Sequence, residues 1–271
     1  MSTRLGRILL LGGGNMGGAM LGGWIAAGID PSDVLIVDPN PGEAVRPLIE
    51  ERGVRLAASV PAEPVDVVVV AVKPQVMADV LASLQPALKP STLVISVAAG
   101  KTIAFIEARL GARPVVRAMP NTPALIGRGI TGCYGNEAVI PALRDATTTL
   151  LSGSGPVEWV DSEALIDVVT GVSGSGPAYV FLLAEALAAA GAAAGLEPDL
   201  AMRLARHTVA GAGELMIRSD KVPAELRRAV TSPNGTTQAA LEILMADDGL
   251  NALMTRAVAA SVNRARELAK D

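Results

Sequence analysis

The sequence predicts an α/β protein, with a doubly wound parallel sheet in its first half and helices alone in its second. Three observations carry this. A short apolar run, Ile8 to Leu11, breaks into glycines at Gly12, Gly14 and Gly17, the G-x-G-x-x-G spacing of a dinucleotide-binding turn. Apolar strand-like runs then alternate with helical stretches as far as Asp161. Beyond Asp161 no β-branched run recurs. The expected organisation is a Rossmann-type dinucleotide-binding domain over 1–161, then an all-helical dimerisation and substrate domain over 162–271.

The elements follow in order. After the glycines a helix is expected to about Ala27, ended by Ile29-Asp30-Pro31. Val34 to Val37 reads as the second strand and Pro41 to Glu51 as a short helix. Val67 to Val72 is an unbroken apolar run, the mark of a strand buried on both faces of a parallel sheet. Lys73-Pro74 stops it and a helix follows through Leu84. Leu93 to Val97, Val115 to Ala118, Ile130 to Tyr134 and Val157 to Val160 read as strands, with helices at Ile103 to Leu110 and Pro141 to Leu151. In the second half Gly171 to Pro177 reads as a loop that Pro177 ends by starting a long Ala-rich helix. Further helices are expected at about Asp199 to Arg218, Pro223 to Ala229, Thr236 to Met245 and Leu250 to Leu268. Ala178 to Leu196 carries only Glu185 as a charge. Its Ala- and Gly-rich make-up points to a helix buried between helices, across a subunit interface, rather than a membrane span.

Half of the 271 residues are hydrophobic and 2% are aromatic, so the core is aliphatic. A net charge of −4 and the lack of a basic run argue against nucleic acid as a partner. A single cysteine, Cys133, excludes an intrachain disulfide and a cysteine-based metal cluster; no metal is expected, and a reducing, cytoplasmic setting fits. The apolar run before the glycines is too short for a secretory signal.

The glycines divide the labour of binding. The first allows a tight turn out of the strand, the second lets a pyrophosphate approach the backbone, and the third lets the helix pack on the strand. The helix start at Asn15 and Met16 offers N–H groups and a positive dipole end to phosphate. Asp38 lies about twenty residues on, where a carboxylate binds the adenine ribose 2′-OH, although a turn-starting Asp before Pro39 is the alternative. Ligands in such sheets bind beyond the carboxyl ends of the strands. Three of these ends are unusual: Ala71-Val72-Lys73-Pro74, Ala98-Ala99-Gly100 and Met119-Pro120-Asn121-Thr122-Pro123. Asn121 and Thr122 suit hydrogen bonds to a carboxamide or ribose.

The helical half holds two loops richer than a helix connector needs, Gly171 to Pro177 and Thr231 to Thr237. The second ends at a helix start, where the N–H groups of Gly235, Thr236 and Thr237 suit a small carboxylate; simple capping is the alternative. The only histidine, His207, sits beside Arg203 and Arg206 on a helical stretch, and Lys221 and Lys270 are the helical half's only lysines. Alcohol oxidation needs a proton acceptor of that kind. A C=N substrate can bind already protonated, so this poverty tilts towards imine reduction.

These pieces carry a family resemblance. GGGNMG, AVKP at Ala71 to Pro74, VAAG at Val97 to Gly100, VRAMPNTP at Val116 to Pro123, VTGVSGSGPAY at Val169 to Tyr179 and AVTSPNGTTQA at Ala229 to Ala239 together resemble the Δ1-pyrroline-5-carboxylate reductases. The resemblance spans essentially the whole chain. It implies reduction of L-1-pyrroline-5-carboxylate to L-proline with NADPH or NADH. It implies cofactor contacts at Gly12, Gly14, Asn15, Met16, Gly17, Ala71, Val72, Lys73, Pro74, Val97, Ala98 and Ala99, to which Asp38 by its spacing and Asn121 by its place at a strand end are added. It assigns the substrate to Ser175, Gly176, Ser232, Gly235, Thr236 and Thr237, with the Thr237 hydroxyl on the substrate nitrogen. A homodimer of interlaced helical domains is implied, with further assembly into decamers in some members. Many members prefer NADPH and place small or basic residues after the second strand. Here Asp38-Pro39-Asn40-Pro41 stands there, and the first basic residue is Arg46, which hints at NADH. Two other readings stay open: a hydroxy-acid dehydrogenase of the same architecture, and a non-catalytic dinucleotide sensor.

Overall fold

The computed structural model describes residues 5–269. β1 (Ile8–Leu11) leads into α1 (Asn15–Ala26), then β2 (Val34–Val37), α2 (Arg46–Arg52), β3 (Arg55–Ala57), β4 (Val65–Val70), α3 (Met77–Ala82), β5 (Leu88–Ser96) and α4 (Ile103–Leu110). β6 (Val115–Met119), β7 (Thr131–Gly135), α5 (Pro141–Ser152), β8 (Val157–Trp159) and α6 (Ala164–Val169) follow. The strands form one sheet in the order β3-β2-β1-β4-β5-β6-β7-β8. From β3 to β6 every pair is parallel. β7 runs antiparallel to β6, and β8 runs parallel to β7, so the last two strands run opposite to the other six.

The unbroken apolar strands are explained by two cores, one on each sheet face. Ile8 and Leu10 of β1 and Val67 and Val69 of β4 pack with Met20, Leu21 and Trp24 of α1. The alternate residues Leu9, Leu11, Val68 and Val70 pack with Met77 and Leu81 of α3 and with Ile103 and Ile106 of α4. The Trp24 indole N–H donates to the Leu150 carbonyl, which gives the buried ring's one polar atom a partner. Cys133 is buried in β7, and burial pushes its thiol up to about 12, so it is an inert packing group.

Two differences from expectation have local causes. β3 went unread because it is a three-residue edge strand with Arg55 and Leu56 exposed. The stretch expected to be a loop from Gly171 continues α6 as a π-helical segment, Thr170–Gly174. The Thr170 and Ser173 hydroxyls donate to the carbonyls of Ile166 and Val169, which holds the glycine-rich stretch in the helix.

The chain divides into two compact units. The described part of the first covers residues 5–174 and 261–269, and the second covers 175–260. The division falls after the compositional change near residue 161 because α6 packs on β6 and β7. Gly132 on β7 makes room for it: a Cβ there would meet Val169 at 2.7 Å.

The second unit consists of α7 (Gly176–Ala193), α8 (Pro198–Arg218), α9 (Pro223–Ala229), α10 (Thr236–Leu244) and the first part of α11 (Leu250–Leu268). α7 and α8 form a helical hairpin, close where Gly191 lies against Leu196 and Ala201. Glu197 caps α8, accepting from the N–H groups of Asp199 and Leu200. Only Ala188 of α7 is buried within the chain, while Phe181 and Leu182 are 61% and 63% exposed. The continuous helical stretch Ala164–Ala193 is long and apolar enough to cross a membrane by length and composition.

Candidate active site

The order of the sheet reverses at β1, whose neighbours β2 and β4 lead off in opposite directions. Beyond the carboxyl ends of these strands the sheet opens into a cleft of two lobes. The first lobe, about 610 Å³, is lined by Gly12, Gly14, Asp38, Ala58, Ser59, Val60 and the face of Val76, Val80 and Ser83. The second, about 440 Å³, is lined by Asn15, Met16, Pro74, Val97, Ala98, Ala99, Asn121 and Gly174. Gly14, Ala71, Val72 and Lys73 line both.

The three glycines do three different things. Gly12 has φ +96, and a Cβ there would meet the Ala71 carbonyl oxygen at 2.7 Å. A Cβ on Gly17 would collide with the Gly12 carbonyl oxygen, so this glycine lets α1 sit close on the turn. A Cβ on Gly14 would meet nothing within 4 Å. It would project into open space at the N-terminus of α1, where the backbone N–H groups begin. The seat fits a dinucleotide pyrophosphate on these grounds.

Asp38 follows the end of β2 in the first lobe. One carboxylate oxygen accepts from the Gly13 N–H at 2.7 Å and the other from the Asn40 N–H at 2.8 Å. The residue thus ties the glycine turn to its own turn while lining the lobe. Lys73 lines the same lobe and is exposed. Asn121 accepts at Oδ1 from the Ile130 N–H at 3.0 Å, which fixes its side chain beyond the end of β6.

All the residues expected at the cofactor line the cleft except Gly17, which supports the turn from below. Three groups were missed: Ala58-Ser59-Val60, the α3 face, and Gly174. The first follows the unread strand β3. For the second, the four-residue spacing of Val76 and Val80 is the usable signal.

The six residues expected at the substrate belong to the second unit. Asn234 adopts φ 58, and the Gly235 N–H donates to the Ser232 carbonyl at 3.0 Å. A Cβ on Gly235 would collide with the Ser232 hydroxyl. Gly235 is the N-cap of α10 and brings no side-chain cap, so the helix start at Thr236 and Thr237 is left to other acceptors. Thr237 is half-buried. Ser175 is the N-cap of α7, its carbonyl accepting from Ala178, and Gly176 is the first residue of that helix. His207 is exposed on α8.

A sheet of this order, with a glycine seat at its switch point, defines a dinucleotide-binding fold. Residues 7–100 match the family described as NADP oxidoreductase coenzyme F420-dependent, and residues 163–268 match pyrroline-5-carboxylate reductase dimerisation. The chain is similar to the pyrroline-5-carboxylate reductase of Pseudomonas aeruginosa, 44% identical with 97% of each chain covered. It is also similar to that of Escherichia coli, 35% identical over 97% of this chain and 98% of the other. Among solved structures, the enzyme of Coxiella burnetii superposes with a TM-score of 0.91 at 38% identity, covering 98% and 100% of the two chains. That of Plasmodium falciparum, with NADP bound, superposes at 0.81 and 28% identity, covering 97% and 98%. The chain belongs to the pyrroline-5-carboxylate reductase family.

Proposed function

We propose that this chain reduces the C=N bond of L-1-pyrroline-5-carboxylate to give L-proline, the last step of proline synthesis. The observation that carries the reading is the two-lobed cleft, with Gly14 facing open space where its lobes meet. A reduced nicotinamide bound there supplies a hydride to the imine carbon.

The protein's share is placement. Gly12, Gly14 and Gly17 shape the pyrophosphate seat, with the start of α1 at Asn15 and Met16. Asp38 serves the adenine ribose in the first lobe. Ala71 to Pro74, Val97 to Ala99 and Asn121 enclose the nicotinamide half in the second. The N–H groups of Gly235 and Thr236 hold the substrate carboxylate, with Ser175, Gly176 and Ser232 in the same pocket. The Thr237 hydroxyl hydrogen-bonds the ring nitrogen, where a bond that strengthens during reduction lowers the barrier. Exposed His207 has no part in this scheme, and a substrate that binds as an iminium needs no histidine.

The working form is a homodimer joined through the helical unit, with five such dimers as the larger assembly. The partner is a second copy rather than a membrane or a nucleic acid, and the compartment is the cytoplasm, in keeping with one buried free cysteine.

Thr237→Ala is the test. Losing one neutral hydrogen bond in the transition state costs roughly 1–3 kcal/mol, so kcat falls about fivefold to a hundredfold or more. NAD(P)H binding stays at the parent level, and Thr237→Ser recovers much of the rate. Parent activity in Thr237→Ala removes the hydroxyl from the mechanism.

A further inference from the structure

Arg117 on β6 is 3% exposed, and nothing in the scheme above gives its charge a task. Its Nη2 donates to Asp167 Oδ1 at 2.7 Å, and its Nη1 lies 3.5 Å from Glu163 Oε1. The same Glu163 oxygen accepts from the backbone N–H of Ile103 at 2.8 Å. A buried guanidinium is costly unless carboxylates complete its hydrogen bonding. An apolar residue would fill a β-strand position of this kind at lower cost.

Each partner stands next to a different wall of the second lobe. Met119 lies two residues beyond Arg117 on β6, so it shares Arg117's strand face, and it lines the lobe. Asp167 is in α6, and Glu163 is that helix's N-cap. The helix runs into the π segment and ends at Gly174, which also lines the lobe. A Cβ on Gly174 would meet the Met119 methyl at 2.6 Å, so these two walls touch. Ile103 opens α4, and only Gly100, Lys101 and Thr102 separate it from Ala99 on the third wall.

We infer that Arg117 is a positioning residue for the nicotinamide half of the cofactor. Through Asp167 and Glu163 it holds the end of β6, the π segment and the turn into α4 in one fixed arrangement around the second lobe. It touches neither cofactor nor substrate. The inference rests on the reading that the second lobe takes the nicotinamide end. Small displacements of such walls lower the rate steeply because reacting atoms must meet within a narrow range of geometry.

Full-length Asp167→Asn keeps the side chain's shape and removes its charge. The readout is the ratio of the dissociation constants for NADH and for ADP-ribose, which lacks the nicotinamide ring. Expected are about a tenfold weaker NADH complex, an ADP-ribose constant within about twofold of the parent, and a lower kcat. Asp167→Glu restores part of the ratio. Where Asp167→Asn does not fold, Glu163→Gln carries the same comparison. Equal weakening of both ligands, or of neither, overturns the inference, since a purely structural cluster affects both alike. The lobe assignment has its own check. Met119→Trp fills the second lobe and weakens NADH while sparing ADP-ribose. If Met119→Trp leaves NADH binding unchanged, the assignment itself has failed, and the inference falls with it.

Discussion

A Cβ placed on residue 14 has open cleft before it and, beyond its two chain neighbours, meets no atom within 4 Å. Gly14→Val is therefore expected to fold with a parental Tm and to weaken NAD(P)H binding by about a hundredfold, because the branched side chain occupies the pyrophosphate seat. Titration of cofactor fluorescence checks it, and unchanged affinity in a folded variant refutes it. Asp38 is the second residue with a separable effect. Its carboxylate opposes a 2′-phosphate, while Ser59, Lys73 and Ser83 are the other polar side chains lining the same lobe. NADH is expected to serve at least as well as NADPH. Asp38→Ser is expected to move the kcat/KM ratio towards NADPH by about tenfold, the effect of removing one charge repulsion at partial screening. It also frees the Gly13 N–H, so both cofactors bind somewhat less tightly. A ratio that stays put makes Asp38 a turn residue alone. These residues were legible because fixed spacing marks them: the glycines by their own pattern, and Asp38 by its place about twenty residues beyond it. Arg117 was not, since its partners lie 46 and 50 residues away and only the fold brings them together.

At the scale of the element, α7 is the helix whose composition and surroundings disagree most. It is apolar almost all round, yet the chain buries only Ala188. A helix of that kind requires cover from another surface. Leu182→Asp sets a charge on that exposed apolar face, and sedimentation is expected to show monomers with little imine reductase activity. A fully dimeric Leu182→Asp protein would move the interface elsewhere. The periodic elements were readable: α4, α9 and α11 have the bounds their patterns predict, Ile103–Leu110, Pro223–Ala229 and Leu250–Leu268. The elements that escaped lack a pattern. β3 has too few residues to alternate, and the direction of β7 is decided by pairing with β6 rather than by its own residues. The π segment presents glycine and serine, which read as loop until their hydroxyl bonds are seen.

Across the whole molecule, the first unit includes a piece contributed from far along the chain. Val262 and Ala265 of α11 are buried, and Leu268 lies against Gly100, in the turn that follows the third wall of the second lobe. Ending the chain after residue 260 is expected to destabilise the first unit by about 2–4 kcal/mol, the cost of exposing two or three apolar side chains. Urea unfolding of the shortened protein measures it; an unchanged midpoint would show that the segment adds nothing. The same arrangement sets an order of events during biosynthesis. A ribosome must emit all of residues 175–260 before the segment at 261–269 can dock. Until then the nascent sheet stands with its β5–α4 turn uncovered, and closure waits on a long loop. The nucleotide-binding half is therefore completed only after the helical half has been made.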